Sequence, residues 1–297
     1  MKPMHVAEAH RAGALAGPEV GRPFSGEEPV KLSILMPVYN EERTVASVAR
    51  ALLACDYPCE IELIIVDDGS SDRTPLLIAQ LCDERVKSYR HPRNFGKGSA
   101  LLTAAQLATG THILPFDADL EYVASDIPRL LAPVLEGRCD VVYGSRLFGV
   151  NTVYQSYRYA MGNKLTTLAA NLLFDAHLSD LHTCLKLVPL GLFHSLRLRS
   201  AGFGLDTEMT AGLLRLGIRP FEVPVTYHSR SHAEGKKLTW HDGVGCLAIL
   251  GRVRFARVPR TTGEPAAEPA AGAAALREAR SVALGGHPGE PASTGAA

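Results

Sequence analysis

An α/β fold, with a mainly parallel sheet covered by helices on both faces, is predicted by three features of the sequence. Short apolar runs alternate with amphipathic stretches through the first half, the pattern of strands joined by crossover helices. Acid-bearing polar segments follow directly after three of those runs. The 297 residues, 46% hydrophobic and 21% charged, suffice to bury a large core. The 31 basic and 31 acidic residues balance, so no basic excess exists to neutralise nucleic-acid phosphates, and nucleic acid is not expected as a partner.

Strands are expected at Leu32–Met36, Glu62–Val66, Val86–Tyr89, Thr111–Phe116 and Val141–Tyr143, where apolar and β-branched residues cluster between turn signals. Between them, helical spacing of apolar residues marks Thr44–Ala54, Thr74–Cys82, Gly98–Ala108 and Ile127–Leu135. The second half is less regular: helical patterns at Tyr157–Phe174 and Asp206–Leu216, a strand at Pro220–Val225 and a last helix at Gly243–Arg254. Residues 1–29 lack periodicity, and residues 259–297 hold 12 Ala, 6 Gly and 5 Pro, so both are expected to be disordered tails around one domain at 30–258. Residues 31–145 carry 11 basic and 16 acidic residues, residues 146–260 carry 15 and 7. The neutral total thus averages an acidic half (30–145) and a basic half (146–258).

In parallel sheets, ligands bind beyond the carboxyl ends of the strands. The segments Pro37-Val38-Tyr39-Asn40-Glu41-Glu42, Asp67-Asp68-Gly69-Ser70 and Asp117-Ala118-Asp119-Leu120-Glu121 stand at such ends and are expected to converge on one edge. Asp117 and Asp119 suit a hard divalent cation, Mg2+ or Mn2+, which shares carboxylates with substrate phosphates; the alternative is a turn stabilised by Asp. A carboxylate in Asp67-Asp68 can accept hydrogen bonds from ribose hydroxyls or a base, while Ser71 or Asp72 caps the next helix. Asn94-Phe95-Gly96-Lys97-Gly98 lacks both the third glycine of a dinucleotide loop and the Gly-Lys-Ser/Thr ending of a P-loop. Its glycines are read as packing residues; for Lys97 two readings stand, a phosphate ligand or a solvated cation.

Taken in order, Leu35-Met36-Pro37-Val38-Tyr39-Asn40-Glu41-Glu42, Val66-Asp67-Asp68-Gly69-Ser70-Ser71-Asp72, Asn94-Phe95-Gly96-Lys97-Gly98, Asp117-Ala118-Asp119-Leu120-Glu121 and Gly144-Ser145-Arg146 resemble the inverting glycosyltransferases of family 2, of the GT-A fold. Within that family the sequence resembles most the polyprenyl-phosphate sugar synthases typified by dolichol-phosphate mannosyltransferase. The resemblance implies that Pro37, Tyr39, Glu41 and Asp67 hold the base and ribose of a nucleotide sugar, with Asp68 assisting. It implies that Asp117 and Asp119 bind the cation on the donor diphosphate, with Glu121 as a third ligand. It also implies a loop with an Arg and, six residues on, a Lys at the donor and acceptor phosphates, a spacing that Arg230 and Lys236 fit, although Glu234-Gly235 and a second lysine replace the usual Gly and Ser.

The expected catalytic set is therefore Asp119, Arg146, Asp180, Arg230 and Lys236, with Asp180 either positioning acceptor or sugar or acting as a structural cap. A phosphate acceptor, with a second pKa of about 6, attacks as a dianion unaided. A hydroxyl acceptor needs a general base, for which Asp180, Asp206 and Glu208 are the candidates. The expected reaction moves mannose or glucose from GDP-mannose or UDP-glucose to a polyprenyl phosphate; transfer to a hydroxyl and a non-catalytic nucleotide-binding module are the alternatives. A sugar-phosphate nucleotidyltransferase is disfavoured, because Pro37-Val38-Tyr39-Asn40 is not a Gly-rich, Arg-bearing loop. With six scattered cysteines, no signal peptide and no apolar run near ~20 residues, a cytoplasmic location is expected. The basic last helix either rests on the inner membrane face or packs as a core helix; acceptor access then relies on peripheral contact or a membrane partner.

Overall fold

The computed structural model describes residues 29–147, 152–153, 157–229 and 240–256. Both expected tails, and the Arg230 to Lys236 loop, lie outside the described residues. Nine strands are described: β1 (Lys31–Val38), β2 (Glu60–Asp67), β3 (Val86–Arg90), β4 (His112–Pro115), β5 (Val142–Ser145), β6 (Thr152–Val153), β7 (Lys186–Pro189), β8 (Phe221–Pro224) and β9 (Tyr227–His228). The helices are α1 (Val45–Ala54), α2 (Thr74–Ala79), α3 (Lys97–Leu107), α4 (Ile127–Leu135), α5 (Tyr157–Phe174), α6 (Leu190–Ser195), α7 (Gly204–Arg215) and α8 (Trp240–Phe255).

Seven strands form one sheet in the order β3-β2-β1-β4-β7-β5-β8, and β6 pairs with β9 in a second, two-stranded sheet. In the large sheet every neighbouring pair is parallel except the two made by β7, which runs antiparallel to β4 and β5. Strand alternation divides the core. Leu32, Ile34 and Met36 of β1 and Leu63 and Ile65 of β2 pack with α1 and α4 on one face. Leu35, Ile64 and Val66 pack with α3 and α7 on the other. Burial on both faces explains why these strands read as nearly continuous apolar runs. A third cluster joins α5, α7 and α8 through Ala170, Phe174, Leu214 and Leu250.

β7 and α6 are departures from the expected layout. Lys186-Leu187-Val188-Pro189 begins with a charge and ends with proline, both poor strand signals, yet it sits inside the sheet with Lys186 fully buried. Its antiparallel course has a consequence for the site. The segment that enters β7 lies at the same edge as the exits of β1, β2, β4 and β5, because Tyr143 faces Lys186 while Ile113 faces Val188.

At the opposite edge, Glu62 of β2 is a buried acid with many partners. It accepts from Ser33 Oγ at 2.6 Å, Lys87 Nζ at 2.6 Å, Thr109 N at 2.6 Å and Gly110 N at 3.1 Å. Burial would raise its pKa, but Lys87, Ser33 and Thr109 overcome this and hold it at about 2. A carboxylate depressed in the folded state contributes stability that is fully present above its unfolded pKa and disappears as pH falls through the folded value. In urea titrations, Glu62→Gln is therefore expected to cost roughly 3 kcal/mol near neutral pH. The gap to wild type should narrow between pH 4.5 and about 2; a pH-independent gap would show that ionisation of Glu62 is not the source.

Candidate active site at the carboxyl edge of the sheet

Parallel register brings the first two acidic segments together. Val38 pairs with Asp67 and Leu35 with Pro115, so the turns after β1, β2 and β4 open side by side. Asn40 has φ +54°, a left-handed conformation that asparagine tolerates. Its N–H donates to Ser70 Oγ at 2.9 Å and its Oδ1 accepts from Ser71 N at 2.9 Å, locking the two turns together. Gly69, at φ +73°, is obligatory: a Cβ there would lie 2.4 Å from the Arg93 carbonyl carbon. Pro37, Tyr39 and Glu41 line this edge half-buried. Glu41 N–H donates to Thr74 Oγ1 at 2.9 Å and its Oε2 accepts from Thr44 Oγ1 at 3.0 Å. Asp72 accepts from Thr74 N at 2.9 Å in an Asx-type turn ahead of α2, whose N-cap position is Arg73.

The neighbouring acids Asp67 and Asp68 have separate duties. Asp67 Oδ1 accepts from Ser70 N at 2.9 Å; the Arg90 Nε lies 3.1 Å from Oδ2, an ion pair that leaves this buried oxygen without a hydrogen bond. Asp68 faces inward. It accepts from Phe95 N at 2.9 Å and Gly96 N at 2.8 Å, and Oδ1 lies 2.7 Å from His91 Nδ1. Through these contacts Asp68 braces the loop before α3. That loop packs tightly, since a Cβ on Gly98 would meet the Ser200 carbonyl oxygen at 2.2 Å.

Lys97 is not the solvated cation of one of its two sequence readings. As the first residue of α3, it donates to Asp117 Oδ2 at 2.8 Å, with the side chains 19% and 22% exposed. Burial disfavours its charge, but Asp117 and the neighbouring groups overcome this and hold the amine well above its usual pKa. Asp119 accepts from Glu121 N at 3.1 Å across Leu120, whose φ of +62° is costly for a leucine. The turn is anchored from the far side, where His228 N donates to the Glu121 carbonyl at 2.9 Å. Glu121 Oε2 accepts from Tyr227 OH at 2.7 Å. Among the described residues no three His, Cys, Asp or Glu side chains gather for a metal ion. Glu121 holds the Tyr227 hydroxyl. Asp117 and Asp119 remain a chemically suitable pair, since Mg2+ commonly uses one or two carboxylates and leaves its other positions to water and phosphate.

The basic half meets this edge through Arg146, just after β5. Its Nε lies 2.6 Å and its Nη2 2.7 Å from the two oxygens of Asp180, and its guanidinium stacks 4.9 Å from the Tyr227 ring centroid. Asp180, fully buried, also accepts from Asn163 Nδ2 at 2.8 Å and from the Arg146 and His182 N–H groups, each at 3.2 Å. Burial alone would raise the Asp180 pKa; Arg146 and these donors push it well below the ordinary range. Of the two expected roles, the structural one is what the contacts describe: Asp180 positions Arg146. Farther in, the buried Lys186 Nζ donates to the Asp206 carbonyl at 3.1 Å and lies 3.4 Å from Asp206 Oδ1. Glu208 accepts from Arg199 N at 2.9 Å, Ser200 N at 2.8 Å and Arg252 Nη2 at 2.9 Å. His182 is held neutral, its pKa pushed down to about 4 by burial and by Lys186. Its ring bonds Thr166 Oγ1 at 2.8 Å. Tyr227, Lys186 and Asn163 carried no role in the sequence reading; a lysine opening an apolar run was the one available signal.

The family model for glycosyl transferase family 2 matches residues 33–196. A hexosyltransferase of low-salt glycan biosynthesis, Agl6 of Haloferax volcanii, is 30% identical over 67% of this chain and 48% of its own length. An undecaprenyl-phosphate 4-deoxy-4-formamido-L-arabinose transferase of Proteus mirabilis is 35% identical over 47% of this chain and 44% of its own. The chain therefore spans about half the length of these curated relatives. The fold is that of the glucosyl-3-phosphoglycerate synthase of Mycobacterium tuberculosis solved with Mn2+, UDP-glucose and phosphoglyceric acid. The TM-score is 0.58 at 20% identity, covering 78% of this chain and 81% of that one.

Removing the carboxylate charge from the Arg146–Asp180 pair leaves a guanidinium buried against Tyr227. Asp180→Asn is expected to destabilise the fold by about 3 kcal/mol or more, read as a lowered urea midpoint. A loss below about 1 kcal/mol, the range of an exposed pair, would mean that the clamp contributes little to folding.

Proposed function

The chain belongs to glycosyl transferase family 2, a family of glycosyltransferases with the GT-A fold, and from that premise we propose that it transfers a hexose from a nucleotide sugar to a polyprenyl phosphate with inversion. The donor reading rests on the convergence of three acid-bearing turns on one edge. In it, Asp67 accepts hydrogen bonds from the base or ribose, with Tyr39, Glu41 and Pro37 forming the wall. Asp117 and Asp119 would hold Mg2+ or Mn2+, which when bound offsets the charge growing on the departing diphosphate. The Mn2+ and UDP-glucose of the solved Mycobacterium tuberculosis synthase support this reading.

The observation that carries the acceptor is the state of the three candidate bases. A hydroxyl nucleophile needs a carboxylate able to take its proton. Asp180 is clamped by Arg146, Asp206 lies beside Lys186, and Glu208 bonds Arg252 and two backbone N–H groups. The pKa values of Asp180 and Asp206 are both lowered; burial opposes this, and Arg146 and Lys186 respectively are the main opposing charges. A phosphate acceptor, already largely dianionic near neutral pH, asks for cations instead. Arg146 supplies one here, and Arg230 and Lys236, outside the described residues, are proposed to supply others. The undecaprenyl-phosphate transferase relative favours the same acceptor class.

A lipid acceptor also accounts for the neighbouring helices α5 and α8. Leu165, Leu168 and Leu172 are exposed along α5, and Val244, Leu247 and Phe255 along α8, while the same helices bury Ala170, Phe174 and Leu250. Lys164, Arg252 and Arg254 are exposed on the same helices, and a mixed apolar and basic surface suits an anionic lipid interface. No helix among the described residues is long and apolar enough to cross a membrane. The proposed setting is a cytoplasmic domain, residues 30–258, resting peripherally on the inner membrane face.

With labelled donor, Mg2+ or Mn2+ and polyprenyl phosphate, label is expected in the butanol phase as an acid-labile lipid. Asp119→Asn should lose this by at least about 100-fold, in the range of a lost electrostatic catalytic contact, while keeping its thermal melt. Label confined to the water phase would favour a hydroxyl acceptor, and full activity of the variant without metal would overturn the donor arrangement. Separately, Leu168→Glu combined with Leu172→Glu should abolish co-sedimentation with anionic vesicles; unchanged sedimentation would remove α5 from the membrane contact.

A further inference from the structure

The turn that carries Asp119 is strained. Leu120, at φ +62°, stands in a left-handed conformation that is costly for a residue with a Cβ and persists only where surrounding contacts over-determine it. Leu120 is itself 52% exposed, so burial of its own side chain does little to offset that cost. Its neighbours hold the turn instead.

The entry is fixed by Phe116, whose N–H donates to the Leu35 carbonyl at 2.9 Å. The exit is gripped by β9. Tyr227 OH donates to Glu121 Oε2 at 2.7 Å, His228 N donates to the Glu121 carbonyl at 2.9 Å, and Tyr122 and Tyr227 form an antiparallel bridge. Asp119 accepts from Glu121 N at 3.1 Å, so the direction of its carboxylate follows the placing of Glu121.

Tyr227 has firm anchors of its own. Its side chain is buried, its ring lies 5.2 Å from the Tyr122 ring centroid, and it covers the Arg146 guanidinium at 4.9 Å. Asp180 fixes that guanidinium along its Nε–Nη2 edge. A phenol packed in this way, stacked on an immobilised cation, holds its hydroxyl at a defined point. Contacts therefore run unbroken from Asp180 through Arg146 and Tyr227 to Glu121 and the Asp119 turn.

We propose that Tyr227 is a positioning residue: through Glu121 it holds the strained turn in the form in which Asp119 serves the divalent cation, and through Arg146 it ties that turn to the basic half of the chain. The inference rests on the reading of Asp117 and Asp119 as metal ligands. Tyr227 touches neither metal nor sugar in it; its hydroxyl acts by denying the turn the relaxed conformations that would suit Leu120.

The measurement that tests it is the gain in nucleotide affinity conferred by Mn2+, the ratio of the Kd in EDTA to the Kd with Mn2+. Calorimetry on the full chain gives it with UDP and with GDP as separate probes. Tyr227→Phe deletes the hydroxyl and keeps the ring; it is expected to cut the gain at least about 5-fold while leaving the Kd in EDTA within about 2-fold of wild type. Leu120→Gly, at an exposed position and free of the left-handed cost, should restore most of the gain in the Tyr227→Phe background. Glu121→Met removes the same bond from its other end and takes the place of Tyr227→Phe should that variant lose its cooperative melt. Rescue by Leu120→Gly is again expected, which a lost metal ligand would not show. A full gain in the folded variant, an equal loss with and without Mn2+, or no rescue by Leu120→Gly overturns the positioning role; the metal reading then stands if Asp119→Asn still abolishes the gain. No gain in wild type with either nucleotide, or a gain indifferent to Asp119→Asn, overturns both.

Discussion

Carboxylates gathered at one edge of a sheet repel one another, and this edge holds together because each buried acid has its own cation or set of N–H donors. Asp67 has Arg90, Asp117 has Lys97, Asp180 has Arg146, Asp206 has Lys186 and Glu208 has Arg252. Asp68 instead takes the backbone N–H groups of Phe95 and Gly96 beside His91. In a medium of low effective dielectric, such pairings decide which side chains remain ionised and in which direction they point. The acidic first half and the basic second half of the sequence are thus interlocked across the sheet.

That interlocking also separates function from support. Asp68, Asp180 and Glu121 have the residue type and position of site residues, yet their oxygens are engaged by the protein's own donors. Asp67 and Asp119 are each tied to their own turn, through Ser70 N and Glu121 N. Acids and cations fixed by the protein's own groups are the arrangement expected of a preorganised site.

The antiparallel strand β7 is the topological device behind this. Had it run parallel to its neighbours, Asp180, Cys184 and Lys186 would enter the sheet from the edge where Glu62 lies. Running antiparallel, it delivers that polar segment to the edge where β1, β2, β4 and β5 end. One reversed strand therefore places these acids and cations against the edge that carries the acidic turns.

The sequence by itself determined the alternation of strands and helices and the placing of three acidic turns at strand ends. It did so because those features are local: periodicity follows from 2.0- and 3.6-residue repeats, and turns from their own side chains. α4 and α5 have the bounds their apolar spacing predicts, and β1, β2 and β4 lie where their apolar runs do. Only the tertiary structure decided that Lys186 opens a buried strand, that Lys97 pairs with Asp117, and that Asp68 bonds the Phe95 and Gly96 N–H groups, Glu121 bonds Tyr227 and Asp180 bonds Arg146. Those outcomes depend on partners 20 to 106 positions away in the chain. A charge is placed by whichever opposite charge the fold brings to it, and no local pattern carries that information.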